Sequence, residues 1–322
     1  METKVTVIIP NHNGEAYIRD CLDAMRIQTM KAKIIVVDDA STDGSLAYLI
    51  EQEEKGLIEL VQLPENKGFA AAVNAGIKRA QTRYVILLNN DTSADKDFVQ
   101  DLYLAKRKKK KTFSVSGLML QMDDPGIIDD CGDVFSALGW AFSPGRDKPR
   151  TDYITRARIS SACGGAAIYD RRILLELGLF DEQHFAYLED VDIGLRAQRK
   201  GYYNFYEPDA VVYHKASAAS GSRYNAFKTR LTTANTIYVI YKNWPVWIIV
   251  LNMPLLVAGF FTKMVFYARK GFFKDYLAGV KEGAAKVRHS TFPRPVTTKE
   301  NIRRHLLFEA ELLANCIRRV TG

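Results

Sequence analysis

Cysteine is scarce in this 322-residue chain, and what there is lies far apart. Cys21, Cys131, Cys163 and Cys316 show no Cys-Xaa-Xaa-Cys spacing and no histidine cluster beside them. That pattern argues against both a zinc site and a disulfide framework, and the four read as buried free thiols. No window is long and polar enough for extended disorder. The start, METKVTVIIP, enters a strand pattern directly, without a charged n-region, an apolar h-region and a cleavage site. A secretory signal peptide is therefore not expected, and a cytoplasmic place is.

What is present is ordinary globular material, 47% hydrophobic and 25% charged. The length suits a core domain of about 220 residues plus a smaller appendage. Lys and Arg outnumber Asp and Glu by 45 to 37, with the excess concentrated at Lys106 to Lys111 and in the C-terminal third. A surface of that sign favours nucleotide diphosphates, acidic lipids or nucleic acid without choosing among them.

Four short apolar runs, Val5 to Ile9, Lys33 to Val37, Ile58 to Gln62 and Tyr84 to Leu88, alternate with segments of helical period. Tyr17, Ile18, Cys21, Leu22 and Met25 recur at the spacing of a helix laid on a sheet. The rhythm is that of an α/β protein with parallel strands covered on both faces. Each strand ends in a polar, turn-rich stretch: PNHNG from Pro10, DDASTDGS from Asp38, and NND from Asn89. Ligands of open α/β sheets bind at the carboxyl ends of the strands, so these tips are expected to converge on one crevice. Residues 92 to 160 read as irregular, a lid or acceptor region. A helix is expected from Val191 to Arg199, a strand from Ala210 to Tyr213, and long helices from about residue 225.

The tips carry the candidate chemistry. Asp91 is delivered by an apolar strand to the sheet edge, and one carboxylate with substrate phosphate oxygens suffices for Mg²⁺. Taken alone, Asn90-Asp91 reads more simply as a turn or a helix cap. Asp39 leaves a buried strand where it can accept from a base N–H or a ribose hydroxyl, while Ser41 or Asp43 caps the next helix. In ENKGFAAAVNAGI, Gly68 and Ala70 to Ala72 are small enough for a diphosphate to approach, or equally for a close helix–sheet contact, and Asn74 lies on a helix face. FDEQHFAYLEDVD places Asp181, Glu182, Glu189, Asp190 and Asp192 among aromatics. Such surroundings can hold a carboxylate ready to take a proton. Acidic residues at a helix start also suit the macrodipole, and that explains Asp192 better than Glu189-Asp190. His214 ends a strand as a second metal ligand or as a satisfied structural histidine.

In this order and spacing, VIIPNHNG, VVDDASTDGS, ENKGFAAAVNAG, LLNND, CGGAAIYDRR, LFDEQHFAYLEDVDIGLR and VVYH resemble the family 2 glycosyltransferases, in particular their bacterial rhamnosyltransferase-like branch, over roughly residues 5 to 215. The resemblance implies a GT-A fold and an inverting, Mg²⁺- or Mn²⁺-dependent transfer from a nucleoside diphosphate sugar to an acceptor hydroxyl. It implies that Pro10, Asn11, Asn13 and Asp39 line the nucleoside pocket, with Asn66, Gly68 and Asn74 near the sugar diphosphate. Asp91 becomes the metal carboxylate of a DXD-like motif, with Asn90 counted among the donor-binding residues. Because the motif reads Asn-Asn-Asp, fewer protein ligands remain and His214 gains weight as the second. Asp190 matches the family's catalytic base, with Glu189 beside it. The branch also implies a lipid-linked glycan acceptor.

The expected organisation is a catalytic domain over 1–225, divided near residue 92 into nucleotide-binding and acceptor halves, and a helical region over 226–322. PVWIIVLNMPLLVAGFFT, from Pro245, is 18 residues long and borderline for a membrane span, with Pro254 inside it and basic and aromatic residues at its ends. A helix lying in the inner interface of the cell membrane fits 244–268 better, with the amphipathic segment from Phe272 and the lysine block adding affinity for anionic lipid. A sugar nucleotidyltransferase would need a glycine-rich phosphate loop near the first strand, which PNHNG is not. A processive synthase would carry Gln-Xaa-Xaa-Arg-Trp after the base, whereas Gln198-Arg199 continues as Lys-Gly-Tyr. A nucleic-acid-binding scaffold leaves the acidic-aromatic segment unexplained, so no nucleic acid is expected.

Overall fold

The computed structural model describes residues 3–215 and 224–321. The first half alternates β1 (Val5–Asn11), α1 (Ile18–Arg26), β2 (Lys33–Asp38), α2 (Ser45–Glu54), β3 (Glu59–Gln62), α3 (Phe69–Arg79) and β4 (Tyr84–Leu88). These four strands are mutually parallel in the order β4-β1-β2-β3, which places their carboxyl ends along one edge. Alternate residues of β1 explain the uniform apolar runs: Ile8 packs in one core layer with Ile35, Val37 and α3, and Val7 and Ile9 in another with α1. The two layers cover both faces of the sheet, as parallel strands require. Gly76 sets the spacing of α3, since a Cβ there would lie 2.4 Å from Ile8 Cγ2.

Residues 92 to 160 are not irregular. They hold β5 (Thr92–Ala94), α4 (Phe98–Arg107), β6 (Thr112–Gln121), β7 (Asp124–Asp130), the small hairpin β8 (Val134–Phe135) and β9 (Ala141–Phe142), and β10 (Ala157–Ile159). Then come β11 (Ala166–Asp170), α5 (Arg171–Glu176), α6 (Glu189–Arg199) and β12 (Tyr203–His214), longer than its apolar end at Ala210 suggests. β11 runs antiparallel between β4 and β6, and β12 lies beside β6. One mixed sheet, β10-β12-β6-β11-β4-β1-β2-β3, thus joins the two halves. Within the lysine block, Arg107 to Lys111 are exposed but two members are engaged. Lys106 is buried, 3.6 Å from Asp170 and over the Tyr84 ring, while Lys108 pairs with Glu207 at 3.0 Å.

The C-terminal helices are α7 (Ala226–Asn243), α8 (Val246–Leu251), α9 (Met253–Arg269), α10 (Phe273–Arg288) and α11 (Ile302–Thr321). The apolar stretch from Pro245 is divided at Asn252, whose amide donates to Ile248 O at 3.0 Å and to the Glu309 carboxylate at 2.8 Å. Among the described residues no helix is long and apolar enough to cross a membrane. Trp244, Val239 and Ile240 of this region pack with Phe135 of β8, Val191 and Leu195 of α6, and Phe308 and Leu312 of α11.

Beneath that layer Lys242 Nζ sits between Asp181 Oδ2 at 2.7 Å and Asp192 Oδ2 at 2.9 Å, all three side chains buried. Asp192 also accepts from Arg196 at 2.7 Å and from Asn243 at 2.8 Å. Burial opposes both charges, but Arg196 and Lys242 outweigh it at Asp192, and Lys242 does so at Asp181, so both carboxyls stay below their ordinary range. Burial holds the neighbouring His184 down to about 4 from 6.5. Lys242→Met removes the shared cation and should cost about 3–5 kcal/mol in urea unfolding. All three shifted groups bind more protons in the unfolded chain. The stability these three groups contribute, read by urea unfolding across pH, should therefore be complete above about pH 6.5, the unfolded histidine value, and fall steadily towards pH 4 and below.

Candidate active site

The carboxyl ends of β1, β2 and β4 are tied together by side chains. Asn11 Nδ2 donates to Asp38 Oδ1 at 2.9 Å, Ser41 Oγ at 3.1 Å and Ser45 Oγ at 3.0 Å, and its Oδ1 accepts from Asn90 Nδ2 at 2.8 Å. Asn11 is buried, so its side chain knits the tips together instead of facing a pocket as expected. Asp39 accepts from the backbone N–H of Lys67 and of Gly68, each at 2.8 Å. Its backbone carbonyl contacts His12 Nδ1 at 2.7 Å, while His12 Nε2 meets Asn66 Nδ2 at 3.0 Å. Asn13, at φ 52°, accepts from Thr42 N at 2.7 Å. Pro10, Asn13, Asp39, Asn66, Gly68 and Asn90 accordingly gather along one edge, with Asn13 and Asn66 exposed.

Asn74 does not join them. It is buried, donates to Phe180 O at 2.8 Å and Glu182 Oε1 at 3.0 Å, and accepts from Phe180 N at 3.0 Å. Every polar atom of its amide is spent on holding the acidic-aromatic segment. The small residues opening α3 serve the same segment: Ala70 N donates to Phe185 O at 3.2 Å, and a Cβ on Gly68 would lie 2.5 Å from that oxygen. With φ at +83°, Gly68 admits no ordinary replacement without strain.

Asp91 and His214 meet where β5 pairs antiparallel with the end of β12, Thr92 opposite His214. His214 Nε2 lies 3.2 Å from Asp91 Oδ1, and Nδ1 lies 2.6 Å from Asp129 Oδ2. Asp129 Oδ1 in turn accepts from Arg146 Nη2 at 3.1 Å. Burial works against a charged ring, but hydrogen bonding to Asp129 and the nearness of Asp91 outweigh it and raise His214 to about 9. The contact at Asp91 lacks hydrogen-bond alignment, which leaves Oδ1 buried with no well-made partner. A buried carboxylate oxygen facing an imidazole nitrogen is a donor pair suited to a divalent cation. Among the described residues no three His, Cys, Asp or Glu side chains converge as a cage. The fit is thus to a metal held by two protein ligands and substrate oxygens.

Asp190 opens α6. Its Oδ2 accepts from Gly164 N at 3.0 Å and its Oδ1 from Val191 N at 2.7 Å. The turn holding Gly164 is fastened to the β4 tip, because Asn89 N donates to Gly165 O at 2.9 Å. A single turn therefore separates Asp190 from the strand end that carries Asp91. Burial raises the Asp190 carboxyl against the pull of those two amides. Glu189, buried with Oε2 unpartnered, is raised further by burial and by Asp190 itself. Asp130, raised by burial to about 6, and Asp133, raised by burial and by Asp130 and Asp190, share this acidic pocket.

Sequence reasoning did not single out Asp129, Asp130 and Asp133. Their signal was the run DDCGD, three aspartates in five positions ahead of the apolar Val134-Phe135. Of the five carboxylates in the acidic segment, the fold sends Asp181 and Asp192 to Lys242, leaves Glu182 exposed and turns Glu189-Asp190 towards the tips. That turn is strained. Phe185, Tyr187 and Leu188 have φ of 61°, 66° and 67°, a left-handed region costing non-glycine residues about 1–3 kcal/mol each. Asn235 of α7 holds the turn, its Nδ2 lying 2.8–3.0 Å from the carbonyl oxygens of His184, Ala186 and Tyr187, and Lys286 Nζ fixes its Oδ1 at 2.6 Å.

A mixed α/β sheet with polar strand tips, an acidic tip at Asp91 and an acidic helix start beside it has the architecture of GT-A-like glycosyltransferases. Residues 6–178, more than half of the chain, match the family described as Glycosyl transferase family 2, and the protein belongs to that family and is a glycosyltransferase. The chain is 38% identical over 104 residues to glycosyltransferase GlyA of Streptococcus pneumoniae, covering 32% of this chain and 15% of that protein. It is 35% identical over 128 residues to the putative teichuronic acid biosynthesis glycosyltransferase TuaG of Bacillus subtilis, covering 39% and 50%. To a poly-β-1,6-N-acetyl-D-glucosamine synthase of Staphylococcus aureus it is 24% identical over 210 residues, covering 65% and 49%. These matches span half or less of the relatives' own lengths. The fold resembles GalNAc-T7 with UDP, GalNAc and Mn²⁺, at TM-score 0.63 and 17% identity over 91% of this chain and 59% of that one. It also resembles a Pyrobaculum calidifontis mannosyltransferase with GDP-Man and Mn²⁺, at TM-score 0.56 and 17% identity over 100% and 88%.

Removing the amide that holds the strained turn should loosen it. Asn235→Ala is expected to lower stability by about 2 kcal/mol and to speed amide exchange across residues 184–190, read by hydrogen-exchange mass spectrometry. Unchanged exchange there would rule out the clamp.

Proposed function

We propose that the protein transfers a single sugar, rhamnose-like, from a nucleoside diphosphate to a hydroxyl of a lipid-linked glycan, with inversion at the anomeric carbon. The observation that carries this reading is the turn joining Asp190 to the β4 tip, which brings a carboxylate raised by burial to the strand end from which Asp91 follows. Pro10, Asn13, Asp39, Asn66, Gly68 and Asn90 form the donor edge. Asp190 takes the proton of the acceptor hydroxyl, with Glu189 beside it. The acceptor oxygen bonds to the anomeric carbon as the bond to the diphosphate oxygen breaks, and that electron pair leaves with the nucleoside diphosphate. Asp91 and His214 would hold a Mg²⁺ or Mn²⁺ ion, which when bound would supply positive charge to offset that gathering on the leaving group. One displacement gives inversion. The nucleotides and Mn²⁺ in the two fold neighbours support a donor and metal of this kind.

Single-sugar transfer is preferred to processive synthesis because Gln198-Arg199 is followed by Lys-Gly-Tyr. The catalytic unit over 1–225 and the helical region after it work at the inner face of the cell membrane. Support for that comes from an exposed apolar face: Val246, Val250, Met253, Val257 and Phe261 recur every three or four residues across α8 and α9. Beside it Trp247, Val250, Pro295 and Val296 line an open cleft of about 700 Å³. Arg269, Lys270 and Lys274 are exposed nearby in sequence, and the chain carries net charge +8. An apolar stripe with cationic flanks matches an anionic lipid surface.

With Mn²⁺ and a panel of UDP-, GDP- and dTDP-sugars, Asp190→Asn should keep nucleotide binding in thermal shift yet release nucleoside diphosphate at under about a hundredth of the wild-type rate. Wild-type turnover should fall as pH drops through the raised Asp190 carboxyl, at a pH above the ordinary aspartate range. A variant retaining more activity than that would remove Asp190 as the base. Separately, Val250→Glu with Phe261→Glu should abolish pelleting with phosphatidylglycerol vesicles without lowering the thermal midpoint. Equal pelleting of wild type and variant would refute the lipid face.

A further inference from the structure

One group beside the site has no part in the reaction above. Asp129 ends β7, on one side of β6, while His214 ends β12 on the other, and their side chains meet at 2.6 Å over the end of β6. The Asp129 carboxylate is nearly buried, its second oxygen is held by Arg146 at 3.1 Å, and Arg146 belongs to the segment after β9. His214 is thereby gripped from its far side, with Nδ1 directed to Asp129 and Nε2 to Asp91.

We infer that Asp129 is a positioning residue for metal binding, which orients His214 as a ligand. Its carboxylate accepts the Nδ1–H, which fixes the ring plane and reserves the Nε2 lone pair for a cation shared with Asp91. An imidazole ligand free to rotate or to exchange tautomers would lose affinity, and removing such an outer partner typically weakens a metal site about 10–100-fold. Arg146 contributes by holding the opposite oxygen, so that Asp129 presents one lone pair to the ring. The inference rests on the reading of Asp91 and His214 as metal ligands.

The test is titration of full-length protein with Mn²⁺ alone, following free Mn²⁺ by its electron paramagnetic resonance signal. Asp129→Ala should weaken binding about 10–100-fold. Asp129→Asn, whose carbonyl can still accept the Nδ1–H, should recover part of the loss, and it also covers the case in which the alanine variant does not fold. A purely structural role would leave Mn²⁺ affinity within twofold of wild type in the folded asparagine and alanine variants, and that result would overturn the inference. His214→Ala and Asp91→Asn separate the two levels of the argument. If both weaken binding and the Asp129 variants do not, only the positioning role fails. If neither weakens it, the metal assignment fails and takes the positioning role with it.

Discussion

Lys242 is the cation that joins the two ends of the acidic segment. An ammonium with no exit to water is sustained by two carboxylates from different places, one at Asp181 before the strained turn and one at Asp192 after it. Each ion offsets a desolvation cost the others could not bear alone, so the three behave as one unit. The unit pins both ends of the twelve-residue stretch from Asp181 to Asp192 to α7, and Asn235, two turns earlier on the same helix, grips the middle. Between these fixed points the backbone has room for only one path, and that path delivers Asp190.

The same segment thus divides its carboxylates into two electrical populations. Asp181 and Asp192 face cations and stay ionised far below neutral pH. Glu189 and Asp190 face Asp130 and Asp133, with no cation among their own causes of shift, and are raised by burial. Nothing in the side-chain chemistry distinguishes the two sets. The helix does: residues two apart point to different sides, so Asp190 and Asp192 cannot share surroundings. The carboxylate proposed as proton acceptor and a structural ion pair are separated by a single intervening residue.

The first ninety residues were legible because their signals are local. Short apolar runs ending in Asn, Asp and Gly announce parallel strands and their tips, and β1, β2 and β4 begin where the pattern starts. The stretch from 92 to 160 was not legible. β6 is buried on both faces and so lacks alternation, β8, β9 and β10 are only two or three residues long, and β10 finds its partner far along the chain in β12. Candidate residues divided in the same way. Asp91, Asp190 and His214 stand out as candidates in the sequence because each lies at or next to a terminus of a regular element. Asn11 and Asn74 sit at positions where a ligand contact and a tertiary hydrogen bond look alike in sequence, and the tertiary bond occupies them. Asp129 escaped notice because the interest of its run appears only when β7 and β12 flank the same strand.

The grip of α7 on the turn before Asp190 bears on how this protein could change over evolutionary time. A helical region that merely carried the enzyme to its place of work could be traded freely for another anchor. Here the side chains that keep a strained backbone in place, Asn235, Lys242 and Lys286, belong to that region, while the backbone they restrain belongs to the other. The two can diverge only together. A chimaera that borrowed a relative's C-terminal helices without its acidic segment would carry Asp190 on a strained turn with nothing to hold it in register.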